Sequence, residues 1–167
     1  EAVNAENDIP VANTDLKLPS KLAFGAGFGE KTKWFVGGEF TMQQTSNFGN
    51  RYNDITNVSF ENSRRYSIGG YYIPNYASFT GYFKRVTYRA GFRYENTGLI
   101  VSGTAIKDYA MTLGLGLPLG GAVSNLNLGF EYGSKGTTEA NLIKENYGSL
   151  FLSLSLNDRW FVKRKYE

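Results

Sequence analysis

Apolar and polar residues alternate with a period of two along most of the chain after Leu18. This period is typical of a β-strand whose two faces meet different surroundings, whereas a surface helix repeats its apolar positions about every 3.6 residues. Leu152 and Leu154, for example, alternate with Ser153 and Ser155. The alternation predicts about seven strands, in the segments Leu22–Phe28, Trp34–Phe40, Tyr66–Tyr72, Val86–Tyr94, Tyr109–Leu117, Leu126–Tyr132 and Gly148–Leu156.

Two all-β folds share such alternation, a soluble antiparallel sandwich and a transmembrane β-barrel. The segments approach the ~9–11 residues that a tilted strand needs to cross a bilayer, and a sandwich strand is usually shorter, at ~5–6 residues. One face consists of Gly, Ser, Asn, Arg and Glu, which are too small and too polar to fill a dry core. The other face carries aromatic residues toward the strand ends, as the girdles of membrane barrels do: Trp34, Phe40, Tyr72, Tyr94, Tyr109, Tyr132 and Trp160. We therefore predict an antiparallel transmembrane β-barrel that contacts lipid in the outer membrane of a Gram-negative cell.

The connections between these strands differ in length, as the short periplasmic turns and longer extracellular loops of such barrels do. From the C-terminus backward they are long (134–144), short (118–124), long (96–107), intermediate (74–85), long (45–59) and short (30–33). This order predicts a periplasmic C-terminus and a first strand that begins outside the cell. Bacterial single-chain barrels have an even number of strands, so seven strands predict that others are missing. The alternative is an eighth strand hidden in residues 76–86, which would close a small barrel.

The same argument divides the chain into three regions. Residues 1–17 are polar and are predicted to be the remnant of an extracellular loop, and residues 18–158 hold the transmembrane strands. Residues 159–167 are predicted to form a basic periplasmic tail.

The composition excludes several kinds of chemistry. The 167 residues include no Cys and no His, so disulfides, thiolate nucleophiles, imidazole bases and the commonest transition-metal ligands are absent. No Ser lies in a nucleophile-elbow context, and we expect no enzyme activity, no metal site and no cofactor. The net charge of +3 is small for a nucleic-acid partner. No predicted helix follows the alternating glycines, so they do not form a phosphate loop. They leave space inside the barrel for a plug, a layer of neighbouring side chains or a ligand; these glycines are Gly25, Gly27, Gly29, Gly114 and Gly116.

Six charged residues occupy polar positions of the predicted strands and would face the lumen: Glu39, Arg65, Arg89, Arg93, Glu95 and Glu131. One hypothesis is that they bind or steer the head group of a ligand. The other, which we favour, is that they pair with each other across neighbouring strands. A barrel lumen is polar whatever its use, so charge alone does not indicate a ligand.

Several segments resemble a known family of outer-membrane proteins. The run LPSKLAFGAGFGEKTKWFVGGEF (residues 18–40) resembles the middle of FadL-family long-chain fatty-acid transporters. Later runs, among them FKRVTYRAGFRYENTGL, LNLGFEYGSKGTT and LSLSLNDRWFVKRK, resemble the C-terminal half of FadL-like proteins of Bacteroidota. The resemblance implies a barrel of about fourteen strands, in which the N-terminal half is the partner of this chain. The family's N-terminal hatch and its Asn-Pro-Ala segment have no counterpart here.

Two functions of different classes follow. The first, which the resemblance implies, is a channel that moves hydrophobic small molecules across the outer membrane. The alternative is a non-transporting barrel that serves as a subunit of an outer-membrane protein-assembly or secretion complex, with other outer-membrane proteins as its partners.

Overall fold

The fold is a single antiparallel β-sheet, described by a computed structural model for residues 18–47, 57–119 and 123–156. Neighbouring strands follow the order β1-β2-β4-β5-β6-β7-β8, and the short β3 pairs with β5 beside this path. The strands are β1 (Lys21–Glu30), β2 (Trp34–Gln43), β3 (Val58–Phe60), β4 (Ser63–Tyr72), β5 (Thr87–Val101), β6 (Thr104–Pro118), β7 (Val123–Gly136) and β8 (Lys144–Leu156). One α-helical turn, α1 (Tyr82–Arg85), and two 3-10 turns, Thr45–Asn47 and Glu139–Asn141, complete the described elements.

The all-β antiparallel class and the expected number of strands are confirmed, with seven strands on the main path and an eighth beside it. The sheet is open, because β1 and β8 form its two edges and do not pair with each other. The predicted loop remnant (1–17), the predicted tail (159–167) and Trp160 lie outside the described residues. In the described part of the chain, no helix is long and apolar enough to span a bilayer.

The sheet has one polar and one apolar face, because residues that lie directly opposite each other in an antiparallel pair point to the same side. Across β2, β4 and β5, Glu39 lies opposite Ser67 and Ser67 lies opposite Arg93, all on the polar face. On the apolar face, Leu113 of β6 lies opposite Phe130 of β7, which lies opposite Leu150 of β8. The period of two in the sequence thus becomes two chemically distinct surfaces.

Neither face packs against a second layer of described residues. Only six non-glycine residues are buried in the described chain: Thr41, Ile73, Ser78, Val86, Ala110 and Ser134. Large apolar side chains stay exposed instead, including Leu150 at 84%, Phe28 at 70% and Met111 at 58%. A soluble monomer rarely exposes a continuous apolar surface of this kind, so the apolar face requires an apolar environment.

The prediction of a long loop over residues 96–107 is wrong. β5 and β6 continue through it and end at a two-residue turn, Ser102–Gly103, where both residues have positive φ (50° and 78°). Two positive φ values in a two-residue hairpin are the signature of a type I′ turn, which matches the twist of the flanking strands. β3 pairs with β5 at this end, with Val58 opposite Val101, so a short three-stranded extension projects beyond the main sheet.

The alternative prediction of an eighth strand in residues 76–86 is also wrong. This segment contains α1, and the eighth strand is β3, which begins at the end of the segment predicted as the loop over 45–59. Pro74 and the turn around Ser78 interrupt the extended backbone, and hydrogen bonds inside the segment replace pairing with a neighbouring strand.

Candidate functional site: the polar face

All six charged residues predicted to face the lumen lie on the polar face of the sheet. The strand register places Arg65 opposite Glu95, and it places Glu39, through Ser67, in line with Arg93. Arg89 lies on the same face because it is four residues from Arg93 on β5. Glu131 of β7 also lies on it, because it stands opposite Thr112, and Thr112 stands opposite Gly91 of β5. Whether this face encloses a lumen and contacts a ligand stays a prediction.

Arg93 is the centre of a polar cluster that joins four strands. Its Nη2 donates to the hydroxyl of Tyr147 on β8 at 2.9 Å. The same nitrogen lies 3.6 Å from Asp108 on β6 and 3.5 Å from Glu131 on β7. The Tyr147 hydroxyl donates in turn to Asp108 Oδ1 at 3.0 Å. One guanidinium group is therefore shared by two carboxylates that the strand register holds close together, and the three charges sum to −1.

The other predicted residues also have partners in neighbouring positions. Arg65 Nε donates to Glu95 Oε2 at 2.7 Å, across β4 and β5. Arg89 Nη1 donates to Asn127 Oδ1 at 2.9 Å, and Glu39 accepts from Thr41 Oγ1 at 3.0 Å. Two pairs among the six, Arg65 with Glu95 and Arg93 with Glu131, fit the hypothesis of charge pairing across strands. Arg89 and Glu39 hydrogen-bond to neutral side chains instead.

Aromatic side chains fill part of the space that the inward glycines leave. A Cβ built on Gly133 would collide with the ring of Tyr147, and one built on Gly27 would collide with the ring of Phe35. The aliphatic part and guanidinium of Arg89 lie beside Gly114 and Gly116, at 3.4 Å and 3.1 Å from their would-be Cβ atoms. Of the occupants proposed for this space, the structure therefore contains a layer of neighbouring side chains.

The apolar face carries two rows of aromatic residues. In the first row, Trp34 lies opposite Tyr72, and Tyr72 lies opposite Tyr88. In the second row, the rings of Phe40 and Tyr66 approach to 5.0 Å, and Tyr94 and Tyr109 follow in register. Phe40 follows Trp34 by six positions on β2, which is about 20 Å along an extended strand. The predicted interface residue Tyr132 lies on this face next to the second row, opposite Met111.

The described residues offer little chemistry beyond pairing and packing. No group of three or more Asp, Glu, His or Cys side chains in this part of the chain is placed to hold a metal ion. The polar cluster holds two carboxylates and one tyrosine around a single guanidinium group that contacts all three. This arrangement suits a scaffold that fixes strand register.

The model of the BamG family matches residues 1–167, which is the whole sequence. The chain belongs to the BamG family. No curated protein and no solved structure matches it at a significant level.

The resemblance to FadL-like transporters is therefore wrong, because the family match over the full chain is to BamG. The segments that suggested it consist of glycine and aromatic residues in alternation, a composition that many membrane β-sheets share. The expected transport of hydrophobic molecules rested on that resemblance and has no remaining support.

Three further residues of this BamG-family chain belong to the polar clusters and were not predicted as site residues from the sequence: Asp108, Asn127 and Tyr147. Asp108 and Asn127 occupy polar positions of alternating segments, so their side of the sheet could have been inferred. Their partners could not, because Asp108 meets Arg93 only through the register of β5 with β6. Tyr147 is an aromatic residue at a polar position, which is the one local signal that it fills the glycine-lined space.

Proposed function

We propose that this chain is a membrane-embedded, non-transporting subunit of a Bam complex in the outer membrane. The observation that carries the proposal is the family match, since BamG denotes an outer-membrane component associated with the Bam complex. It agrees with the sequence-based alternative of a barrel subunit in an outer-membrane protein-assembly complex.

The two faces of the sheet support a location in the membrane. Phe92, Met111, Leu113 and Leu152 are between 46% and 70% exposed on the apolar face, and such side chains gain about 25 cal/mol for each Å² removed from water. The six charged residues predicted to face the lumen lie on the opposite face, where ionised side chains avoid the cost of entering hydrocarbon. Charged residues on the apolar side, such as Arg64 and Lys144, lie at strand ends. A bilayer on the apolar side satisfies both requirements.

The polar face supports a structural role within that complex. Arg93, Asp108, Glu131 and Tyr147 form one connected group across β5, β6, β7 and β8. A ligand that bound there would have to break these contacts, and each hydrogen bond to a charged group is worth about 1.5–3 kcal/mol. Arg93 Nε is the one nitrogen of this group that is buried without a hydrogen-bond partner. A polar face whose contacts run mostly between its own strands suits a rigid wall.

The proposal is tested by purifying the chain, tagged at its own locus, from outer membranes in a mild detergent. We expect intact-mass analysis of the undigested complex to find the chain with Bam-complex proteins at a fixed stoichiometry. A second outer-membrane barrel, tagged and purified in the same way, controls for incidental association. Recovery of the chain alone, or mainly from a fraction other than the outer membrane, would overturn the proposal.

A further inference from the structure

The connection between β4 and β5, residues 73–86, is a folded segment and not a simple turn. Its two ends are joined by a hydrogen bond from the Asn75 amide to the Lys84 carbonyl at 2.7 Å. Inside it, Gly81 donates to the Ser78 hydroxyl at 3.2 Å. Three of the six buried non-glycine residues of the described chain belong to this connection: Ile73, Ser78 and Val86. Its conformation is therefore fixed by its own packing and hydrogen bonds.

This ordered segment turns its largest apolar side chains outward. Phe79 is 100% exposed, Phe83 75% and Tyr76 64%. Each exposed phenylalanine leaves apolar area in contact with water, at about 25 cal/mol for each Å². This segment buries Ser78 and leaves Phe79 and Phe83 exposed, which suits contact of these two rings with a medium other than water.

The position of α1 indicates which medium that is. The Tyr88 hydroxyl donates to the Phe83 carbonyl at 3.2 Å, and Tyr88 belongs to the aromatic row with Trp34 and Tyr72 on the apolar face. The exposed phenylalanine of α1 therefore lies beside the edge of the apolar face. Trp and Tyr rings at such a boundary keep their apolar body in lipid and their polar atom near water, and a purely apolar phenylalanine beside them is placed to enter the lipid.

The connections at the two ends of the sheet differ in charge, and at the end that holds α1 one of the basic residues, Lys33, pairs with Glu30 of β1 at 2.9 Å. The connections at the end that holds α1, residues 31–33, 73–86 and 119–122, contain four basic residues and no acidic one. The connections at the opposite end, 44–62, 102–103 and 137–143, contain one basic and three acidic residues. Lys84 and Arg85 belong to α1, and neither takes part in an ion pair within the described chain. Arg85 instead lies over the ring of Tyr82, at 5.6 Å from its centroid.

We propose that the β4–β5 connection is a membrane-interface anchor, in which Phe79 and Phe83 enter the lipid boundary and Lys84 and Arg85 bind anionic phospholipid head groups. The inference rests on the proposed membrane location of the chain. Basic and aromatic residues at the edge of an apolar surface attract anionic head groups and bury aromatic area at the same time. The predicted periplasmic C-terminus assigns this end, where β8 ends, to the periplasmic leaflet.

A docking site for a protein partner would explain exposed phenylalanines as well. It would not explain why Phe83 adjoins the apolar face, or why both basic residues of the connection follow it directly on α1. A lipid surface accounts for both, since its apolar and anionic layers are adjacent.

The absence of cysteine from the chain allows a direct test with spin labels. Thr80→Cys lies next to Phe79 and leaves it intact, and Ser102→Cys lies in the exposed turn at the opposite end of the sheet. The purified complex is labelled, reconstituted into vesicles of phosphatidylethanolamine and phosphatidylglycerol, and tested for collision with oxygen and with a water-soluble nickel complex. Wild-type complex treated in the same way gives the background from other thiols.

We expect the label at position 80 to be accessible to oxygen and shielded from nickel, and the label at position 102 to be accessible to nickel. Adding Phe79→Ser and Phe83→Ser should return the label at position 80 to water. Shielding from both reagents at position 80 would indicate a protein partner and would overturn the anchor, as would free access of nickel. A label at Leu113→Cys on the apolar face separates the two proposals: if it is not in lipid, the membrane location itself fails.

The charge component has its own readout. Lys84→Gln together with Arg85→Gln should lower the ratio of phosphatidylglycerol to phosphatidylcholine retained by the complex from mixed vesicles. The decrease should reach up to about 30-fold, because each basic residue near an anionic surface contributes about fivefold. Lys107→Gln, an exposed lysine near the opposite end of the sheet, is the matched control and should leave the ratio unchanged. An equal ratio in all three proteins would overturn the head-group site.

Discussion

Replacing Leu150 with arginine tests the assignment of the two faces. Leu150 is 84% exposed on the apolar face, opposite Phe130, so nearly its whole side chain would contact lipid. Arginine on the lipid face of a barrel near the middle of the bilayer costs about 2–4 kcal/mol. A cost of this size lowers the folding equilibrium about 30- to 1,000-fold. Ser149→Arg is the matched control, because Ser149 is the preceding residue, lies on the polar face and stands opposite Glu131.

The measurement is the free energy of unfolding in phospholipid vesicles, obtained by urea titration, with recovery from the outer-membrane fraction as a parallel readout. Ser149→Arg should change this free energy by less than about 1 kcal/mol, since the new cation can pair with a carboxylate across the strands. A loss from Ser149→Arg as large as the loss from Leu150→Arg would refute the assignment of the faces.

The remaining predictions concern the polar cluster, its packing and the sheet edges. Arg93→Met leaves Asp108 and Glu131 without their shared cation and should lower the free energy of unfolding by about 1.5–3 kcal/mol. The control Arg64→Gln, at an exposed position, should change it by less than about 0.5 kcal/mol. Similar losses from the two variants would contradict the cluster. Gly133→Ala should cost about 1–3 kcal/mol because its methyl group displaces Tyr147, and Gly25→Ala, whose Cβ would lie 3.5 Å from its nearest neighbour, should be tolerated in the same titration. Phe24→Cys and Leu152→Cys, in the two edge strands, should not be joined by a short thiol-reactive cross-linker. Phe24→Cys and Phe40→Cys, which lie opposite each other, should be joined by it. A cross-link between positions 24 and 152 would show that the two edges pair directly.

The faces of the strands could be predicted from the sequence because the direction of a side chain in a strand depends only on its position in the alternation. The prediction failed where the alternation is interrupted. Between Asn96 and Ile100 the register of β5 with β6 shifts, and Gly98 adopts a φ of 77°. Such a bulge adds residues to one strand only and ends the period of two in the sequence, although the strand itself continues.

The contacts of the candidate site required information that a local pattern does not hold. Arg93 and Tyr147 are 54 residues apart, and they meet because three successive strand registers bring them to the same level. A shift of one residue in any of these registers would turn one partner to the other face. β3 and α1, at three and four residues, are too short to produce a detectable period.

The direction of the edge strands bears on how the sheet is completed in a membrane. Six successive antiparallel pairings connect β1 to β8, so these two strands run in the same direction. Antiparallel closure of β1 directly on β8 is therefore impossible, and an odd number of additional strands would restore it. Unpaired backbone groups at the two edges would each cost several kcal/mol in hydrocarbon. The same parity that predicted missing strands from the sequence thus holds for the seven strands of the main path. In a membrane, β1 and β8 would have to pair in parallel, or further strands, from this polypeptide or from a partner protein, would have to lie between them.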